Sequence, residues 1–338
     1  MLVDWLAASV DLPAVLTHSG WDMSMKDTLD MLDATGANAY DLACIVCAFF
    51  FGGSTIQPDE DVRPGRFYAW RVSLRDAGGD HVGLIEMGGP HTVRKDGVYT
   101  TRIELTGTGC RLYEAAAGSD HAKRWLELRA KLESSAGRIT RIDVAADDLD
   151  GINPIDWAIS QYHEGEFDNR GQRPKPQHID DFGSGEGRTF YVGTKKSERR
   201  LRVYEKGKEL GDKLSLWVRY EAEFKASNRR ELTLDILRDP AGYLLGAYPV
   251  LRFINAIASR IDVTNAAAAS TLKSVRRHIK RQYGGALLFV VKHTRNDSEL
   301  ATVIRSLTGQ KLPPWASNST GVDWPEIQSL ITSQETNQ

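Results

Sequence analysis

Alternation of apolar and polar residues with a period of two dominates much of the first 225 residues of this chain. VDWLAAS near the start reads as a strand. Between Phe67 and Gly107, FYAWRVSL, HVGLIEMGG and VYTTRIELTG read as three more, separated by the turn-like AGGD and GPHTVRKDG. RITRIDVAADD, RTFYVGTKKS, RRLRVYEKG and LWVRYEAEFKA continue the pattern. Helical periodicity interrupts it. KDTLDMLDATGA (Lys26–Ala37) predicts a short helix ending at glycine. SDHAKRWLELRAKLESSAG (Ser119–Gly137) predicts an amphipathic helix between a serine cap and a glycine stop. NPIDWAISQYHEG (Asn153–Gly165) predicts a helix with an asparagine cap and proline in its first turn. Glu166–Gly187, rich in glycine, proline and charge, predicts a loop of about twenty residues, long enough to be functional or mobile. After Asn228 the pattern turns helical through ELTLDILRDPAGYLLGAYPVLRFI and NAAAASTLKSVRRHIKRQYGG. ALLFVVKHT then reads as a strand, and two helices follow. The expected fold class is α+β. A mixed or antiparallel sheet would carry helices on one face and a polar working face on the other, in a domain spanning 1–227. A mainly helical domain would span 228–338.

Composition narrows this little. The 338 residues are 41% hydrophobic and 26% charged, with a formal net charge of -2. That excludes a protein coated in basic residues, but not a local basic groove. Cys44, Cys47 and Cys110 make no disulfide framework, so a reducing cytoplasm is expected. The Cys44-x-x-Cys47 spacing has no second ligand pair and reads as buried structural thiols. Its surrounding run, LACIVCAFFF (Leu42–Phe51), is about half of a membrane span and reads as a buried segment. MLVDWLAASVD lacks the features of a signal peptide, and no fixed-period repeat is visible.

Four strands share a grammar. RIEL sets Arg102 and Glu104 on one face, and RIDVAAD sets Arg141, Asp143 and Asp147 together. VRYEAEFK sets Arg219, Glu221, Glu223 and Lys225 against Val218, Tyr220, Ala222 and Phe224. RLRVYEKGKE, read as a strand, puts Arg202, Tyr204, Lys206 and Lys208 on one face. Two readings stand side by side. An antiparallel sheet ordinarily shows polar residues outward, and Asp143 and Glu104 would then simply be the partners of Arg102 and Arg141. Alternatively, the face is chemical. Clustered carboxylates suit Mg²⁺ or Mn²⁺, and such an ion polarises a phosphodiester. A tyrosine among cations is biased toward the phenolate, which attacks phosphorus. Arg202 and Lys206 are nearest to Tyr204 by strand phase and are also able to hold phosphate oxygens. The chemical reading is metal-assisted transesterification of a nucleic acid through a phosphotyrosine.

The series RIEL, TRIDVAADD, TFYVGTKKSERRLRVYEKGKE and WVRYEAEFK resembles the replication initiation factor family (Rep_trans), which includes initiators of rolling-circle plasmids and filamentous phages. The resemblance covers roughly Val3 to Lys225. It implies nicking of one strand of a supercoiled double-strand origin, with a tyrosine joined to the 5′ phosphate and the 3′ hydroxyl left to prime synthesis. By motif position that tyrosine is Tyr204. Asp143 matches the metal-binding aspartate, Glu104 the earlier acidic strand, and Glu221 and Glu223 the acids of the last strand, one of them a ligand. No two of the eight histidines stand two apart, so the His-hydrophobic-His motif of other rolling-circle nickases is absent. Tyr191, in TFYVG, is the rival nucleophile, and a packed strand aromatic is its plainer reading.

Arg102, Arg141, Arg219, Lys195 and Lys196 are expected to meet DNA phosphate. So are Arg276, Arg277, Lys280 and Arg281, on a helix through Lys273–Gly285 that also reads as a solvated face. The resemblance further implies single-stranded DNA as a partner, a host helicase and polymerase, often a dimer, and action in bacterial cytoplasm without a membrane. Two other functions fit the same residues: a DNA-binding regulator without catalysis, and a metal-dependent nuclease that uses water.

Overall fold

The computed structural model describes residues 2–21, 38–65, 67–89, 92–94, 97–118, 120–168, 171–227, 231–254, 285 and 287–307. The helix expected at Lys26–Ala37 lies outside them, as do residues 273–284 of the basic segment. The elements run β1 (Leu2–Asp11), α1 (Leu12–His18), α2 (Ala39–Phe51), β2 (Gln57–Pro64), β3 (Trp70–Arg75), β4 (His81–Met87) and β5 (Thr100–Leu105). Next come α3 (Gly107–Ala115), α4 (His121–Ser134), β6 (Arg138–Asp148), α5 (Ile155–Glu164), β7 (Pro176–Ile179), β8 (Thr189–Val192) and β9 (Arg199–Tyr204). They end with the single turn α6 (Lys206–Glu209), β10 (Val218–Lys225), α7 (Pro240–Ala247) and α8 (Asp297–Leu307).

The strands follow the order β2-β3-β4-β5-β1-β6-β10-β9-β8-β7 in one sheet. Neighbours from β2 to β6 pair antiparallel, as do β7 and β8. The chain divides into two compact units that alternate along the sequence. Unit 1 is Met1–Ala145, Lys195–Leu201 and Glu221–Tyr248; unit 2 is Ala146–Thr194, Arg202–Tyr220 and Pro249–Gln338. Neither unit ends at the 227/228 division expected from the change in periodicity.

In unit 1 the period-two pattern sorts the two faces of the sheet as expected. Leu6 stands opposite Leu105, and Ala8 opposite Ile103, all buried. Ile142, Val144, Ile85, Val72 and Leu74 extend this apolar face. The helices of this unit include α2, whose Cys47 is buried with its thiol pushed up to about 12 by burial. The cysteines are free, and Cys110 is buried as well. Arg124 on α4 ties three elements together. Its guanidinium donates to the carbonyls of Tyr113 (3.3 Å) and Gly52 (3.1 Å) and lies 4.2 Å from the Tyr113 ring centroid. α4 begins at Asp120, whose carboxylate accepts from the Lys123 amide, so the capping oxygen comes one residue after the expected serine.

Unit 2 has an aromatic centre. Trp157 of α5 meets Tyr220 edge-on at 6.2 Å and Phe253 at 4.9 Å, and Tyr162 meets Phe190 at 5.7 Å. Gly165 ends α5 in the left-handed region, φ 88°, as the glycine stop requires. β7 forms within the expected long loop by pairing with β8. Residues 287–293 are helical, not a strand: a short apolar run has no periodicity that separates the two, and Leu288, Phe289 and Val291 are exposed. Among the described residues no helix is long and apolar enough to cross a membrane.

α3 approaches the sheet closely at a glycine. A Cβ on Gly109 would stand 2.1 Å from the Val82 carbonyl oxygen and 3.2 Å from Leu105 Cδ2. Thr106, which caps α3, donates its amide to the same Val82 oxygen, so the helix start has no room to retreat. Gly109→Ala should therefore destabilise the protein by about 1–3 kcal/mol. Thermal unfolding against wild type checks this, and an unchanged Tm refutes it.

Candidate active site

In unit 1 the polar face of the sheet carries a chain of charges. Register places Glu86 beside Arg71 on one side and Arg102 on the other, and sets Trp5 opposite Asp143. Glu86 is buried and accepts from Arg71 at 2.6 and 2.8 Å and from Arg102 at 2.8 Å. Arg102 also bonds Glu104. Further along the face, Arg141 grips Asp143 with two bonds, 2.9 and 2.6 Å, and reaches Glu223 at 3.0 Å. Its guanidinium carbon lies 4.9 Å from the Trp5 ring centroid, and Lys225 pairs with Glu223 at 2.6 Å.

Electrostatics follow from this burial. Burial pushes the Glu104 carboxyl above the ordinary glutamate value, against the pull of Arg102, with the Glu86 charge adding to the rise. Burial likewise raises the Asp143 carboxyl, opposed by its bond to Arg141. Burial works against the Arg141 charge, but the bond to Asp143 and the charges of Asp143, Glu223 and Glu104 outweigh it and hold its pKa above the usual arginine value.

The structure thus brings Glu104, Asp143, Glu223, Arg102 and Arg141 onto one face as expected, but with the arginines bonded to the acids. Glu221, two residues before Glu223 on β10, is half-buried. Glu104, Asp143 and Glu223 are hard oxygen donors of the kind Mg²⁺ or Mn²⁺ takes. Among the described residues, however, no three acidic, histidine or cysteine side chains form a ready metal cage. The donors fit such an ion in kind. In this arrangement Arg141 supplies the positive charge between Asp143 and Glu223, so an ion there would have to displace it. Glu86 and Arg71 were not singled out from the sequence. The signal was a lone acid in the apolar run GLIEM, whose phase matches Arg102 across β4 and β5.

Tyr204 belongs to unit 2. It ends β9 and is buried, 3% exposed. Arg202, two residues before it, lays its guanidinium carbon 3.8 Å from the Tyr204 ring centroid. The cation row expected along a longer strand is corrected here: the strand stops at Tyr204, and residues 206–209 form the helical turn α6. The turn keeps Lys206 near, its Nζ 5.5 Å from the ring, while pairing it with Glu209 at 2.5 Å. Lys208 instead pairs with Glu205 at 2.9 Å. Gly207 in that turn allows the approach of Ser215, whose Oγ lies 1.9 Å from where a Cβ would be. A pocket opens at Tyr204, lined by Glu186, Gly187, Arg188, Thr189, Arg202, Glu205 and Glu209. Arg188, missed in the sequence, is held by Asp156 at 2.9 and 3.1 Å.

Other expected residues fall differently. Arg219 is buried, 4% exposed, and its guanidinium makes two bonds to Asp147, at 2.7 and 2.9 Å. Asp147 also accepts from the Trp217 indole at 2.6 Å. Arg219 is thus built into the interior of unit 2 and not displayed to solvent, which corrects its placement as a phosphate-contacting side chain. Tyr191 is half-buried on β8, opposite Gln177. Lys195 and Lys196 are exposed in the turn before β9. Arg276, Arg277, Lys280 and Arg281 lie outside the described residues.

The raised Glu104 carboxyl has a consequence for stability. A carboxyl whose folded pKa lies above the unfolded value, about 4.3, contributes stability that is fully present below that value and lost as pH rises through the folded one. Glu104→Gln lacks this titration. The stability of wild type relative to this variant, from urea midpoints, should be greater near pH ~4 than near pH ~7. An equal or reversed difference would contradict the raised carboxyl.

Residues 137–256 match the family model described as replication initiation factor, Rep_trans. A protein of Bacillus subtilis (strain 168), named as a DNA relaxase, NicK, is 29% identical over 167 residues, which are 46% of this chain and 47% of that protein. The chain therefore spans about half the length of this curated relative. A solved rolling circle replication initiator protein from Geobacillus stearothermophilus is 24% identical, with 73% of this chain and 84% of that one covered and a TM-score of 0.46. That likeness assigns no role to any residue. The segment 137–256 that is similar to the replication initiation factor family contains Asp143, Tyr204, Glu221 and Glu223.

Proposed function

We propose that the chain initiates rolling-circle replication by nicking one strand of a supercoiled double-stranded origin, with Tyr204 as the nucleophile. The observation that carries this reading is the Tyr204 pocket: a phenol under the Arg202 guanidinium at 3.8 Å, with Lys206 beyond it, in a segment matched by the family model. The relative named as a DNA relaxase supports the same class of reaction. In the proposed step the Tyr204 oxygen attacks phosphorus, a new O–P bond forms, and the bond to the 3′ oxygen breaks. The protein keeps the 5′ phosphate and the strand leaves with a 3′ hydroxyl. Arg202 and Lys206 offer cations for phosphate oxygens. Opening of the pocket has to precede the step, because Tyr204 is 3% exposed.

Mg²⁺ or Mn²⁺ is part of this proposal, with oxygen donors drawn from Glu104, Asp143, Glu221 and Glu223. When bound, such an ion would neutralise developing charge on a phosphodiester. Arg102 and Arg141 would then be released from these acids toward phosphate. Lys195, Lys196 and the basic segment holding Arg276, Arg277, Lys280 and Arg281 extend the proposed DNA contact. A host helicase, a host polymerase, a second copy of the chain and a bacterial cytoplasmic setting belong to the same reading.

Purified protein with supercoiled plasmid bearing the replicon's origin and Mn²⁺, quenched in SDS, tests the reaction. A covalent protein–DNA adduct mapped to Tyr204, and absent from Tyr204→Phe, is the expected result. An adduct that persists in the variant moves the nucleophile to Tyr191. Nicking without any adduct favours a water-using nuclease, and origin binding without nicking favours a non-catalytic regulator. For the metal, Mn²⁺ binding followed by electron paramagnetic resonance should weaken in Asp143→Asn, and unchanged binding would remove Asp143 from the ligand set.

A further inference from the structure

We infer that Phe182 is a stacking platform for an unpaired nucleobase, on the loop that leads into the Tyr204 pocket, an inference that rests on the DNA-acting reading above. Phe182 lies in the glycine-rich segment between β7 and β8 and is 95% exposed. A single exposed apolar side chain is commonplace on a protein surface. This one is unusual in how it is held. Its backbone is left-handed, φ 47°, a conformation that glycine adopts freely and phenylalanine does not. Only Ala136 shares that property among the described non-glycine residues.

The loop around it is organised from within. Asp180 accepts from the Phe182 amide at 2.7 Å. The Asp181 carboxylate gathers the amides of Gly183, Gly185 and Gly187 at 3.0, 3.1 and 3.1 Å, and those bonds hold its pKa below the usual aspartate value. Lys213 closes the outside, donating to the Ser184 carbonyl at 3.1 Å and pairing with Glu186 at 3.3 Å. An aromatic side chain is thus displayed to water on a braced backbone, with its conformational freedom already reduced.

The far end of the loop leads to the candidate nucleophile. Gly187, in the pocket wall, has no Cβ, and one there would stand 3.2 Å from Lys208 Cβ. The Arg188 amide donates to the Glu205 carboxylate at 2.8 Å, and the Glu205 amide donates to the Arg188 carbonyl at 3.2 Å. The loop is therefore fastened to the residue that follows Tyr204. A strand whose phosphate enters the pocket would carry its bases past this loop. A nucleobase is flat and apolar-faced with a charged backbone. Its flat face matches the exposed ring of Phe182, on a loop that leads to Arg188 in the pocket wall. Every base presents such a face, so the platform would grip unpaired strand regardless of sequence.

Binding of the full-length protein to fluorescein-labelled (dT)20, and to a labelled duplex of the same length, measured by anisotropy at one fixed salt concentration, tests the inference. Phe182→Ala should weaken single-strand binding on the order of ten- to a hundredfold. It should leave duplex binding unchanged, and Phe182→Trp should restore single-strand affinity. The side chain is exposed, so circular dichroism should show both variants folded. Equal single-strand affinity of wild type and Phe182→Ala overturns the inference, as does equal loss on both DNAs or absence of single-strand binding by wild type. The Tyr204 adduct assay is read separately. Phe182-dependent single-strand binding without an adduct would sink the nicking reading and leave the platform standing.

Discussion

A buried carboxylate must be met by a cation or give up its charge, and this constraint governs the polar face of unit 1. Glu86, Glu104 and Asp143 are all buried on strands of the sheet. Arg71 and Arg102 meet Glu86 across the register, and Arg102 and Arg141 meet Glu104 and Asp143 two residues along their own strands. The arginines are the right residues for this work. A planar fork delivers two parallel bonds to one carboxylate, as Arg141 does to Asp143, and still reaches a second acid, Glu223. Burial nevertheless leaves Glu104 and Asp143 with raised proton affinity, so the pairing compensates their desolvation only in part.

Oxygen donors that are desolvated and clustered favour any positive charge brought near, whether guanidinium or divalent metal. A purely structural ion-pair network would serve as well with its acids placed nearer solvent, where desolvation costs less. In unit 2 the same chemistry is arranged around a neutral side chain. Arg202 covers the Tyr204 ring, while Lys206 and Lys208 are held by Glu209 and Glu205 within one helical turn. The tyrosine is surrounded by charge and kept from water.

Elsewhere the same pairing chemistry serves rigidity alone. Arg219 and Asp147 form a buried two-bond pair beneath Trp217, and Arg124 bonds carbonyls of two other elements in unit 1. Strand phase could not separate Arg219 from the arginines of the candidate site. Arg219 shares its alternation with Glu221 and Glu223, yet it is enclosed in unit 2, whereas Arg141 is about one-third exposed.

The sequence by itself determined the two-sided strands and the helices at α4 and α5. These follow from period and residue type, which are local properties of the chain. It did not determine that β9 stops at Tyr204 and turns into α6, because a Lys-Gly-Lys-Glu run is compatible with either conformation until Ser215 packs against Gly207. Nor did it determine that 287–293 is helical, since an apolar run of that length carries no period. Glu86 and Arg188 gained their places only in the folded chain: Glu86 by cross-strand register to Arg71 and Arg102, Arg188 by its bonds to Asp156 on α5 and to Glu205. Glu104 and Asp143 take the arginine two residues before them on their own strands, whereas the partners of Glu86 and the reach of Arg141 to Glu223 depend on distances between strands, which the tertiary structure alone sets.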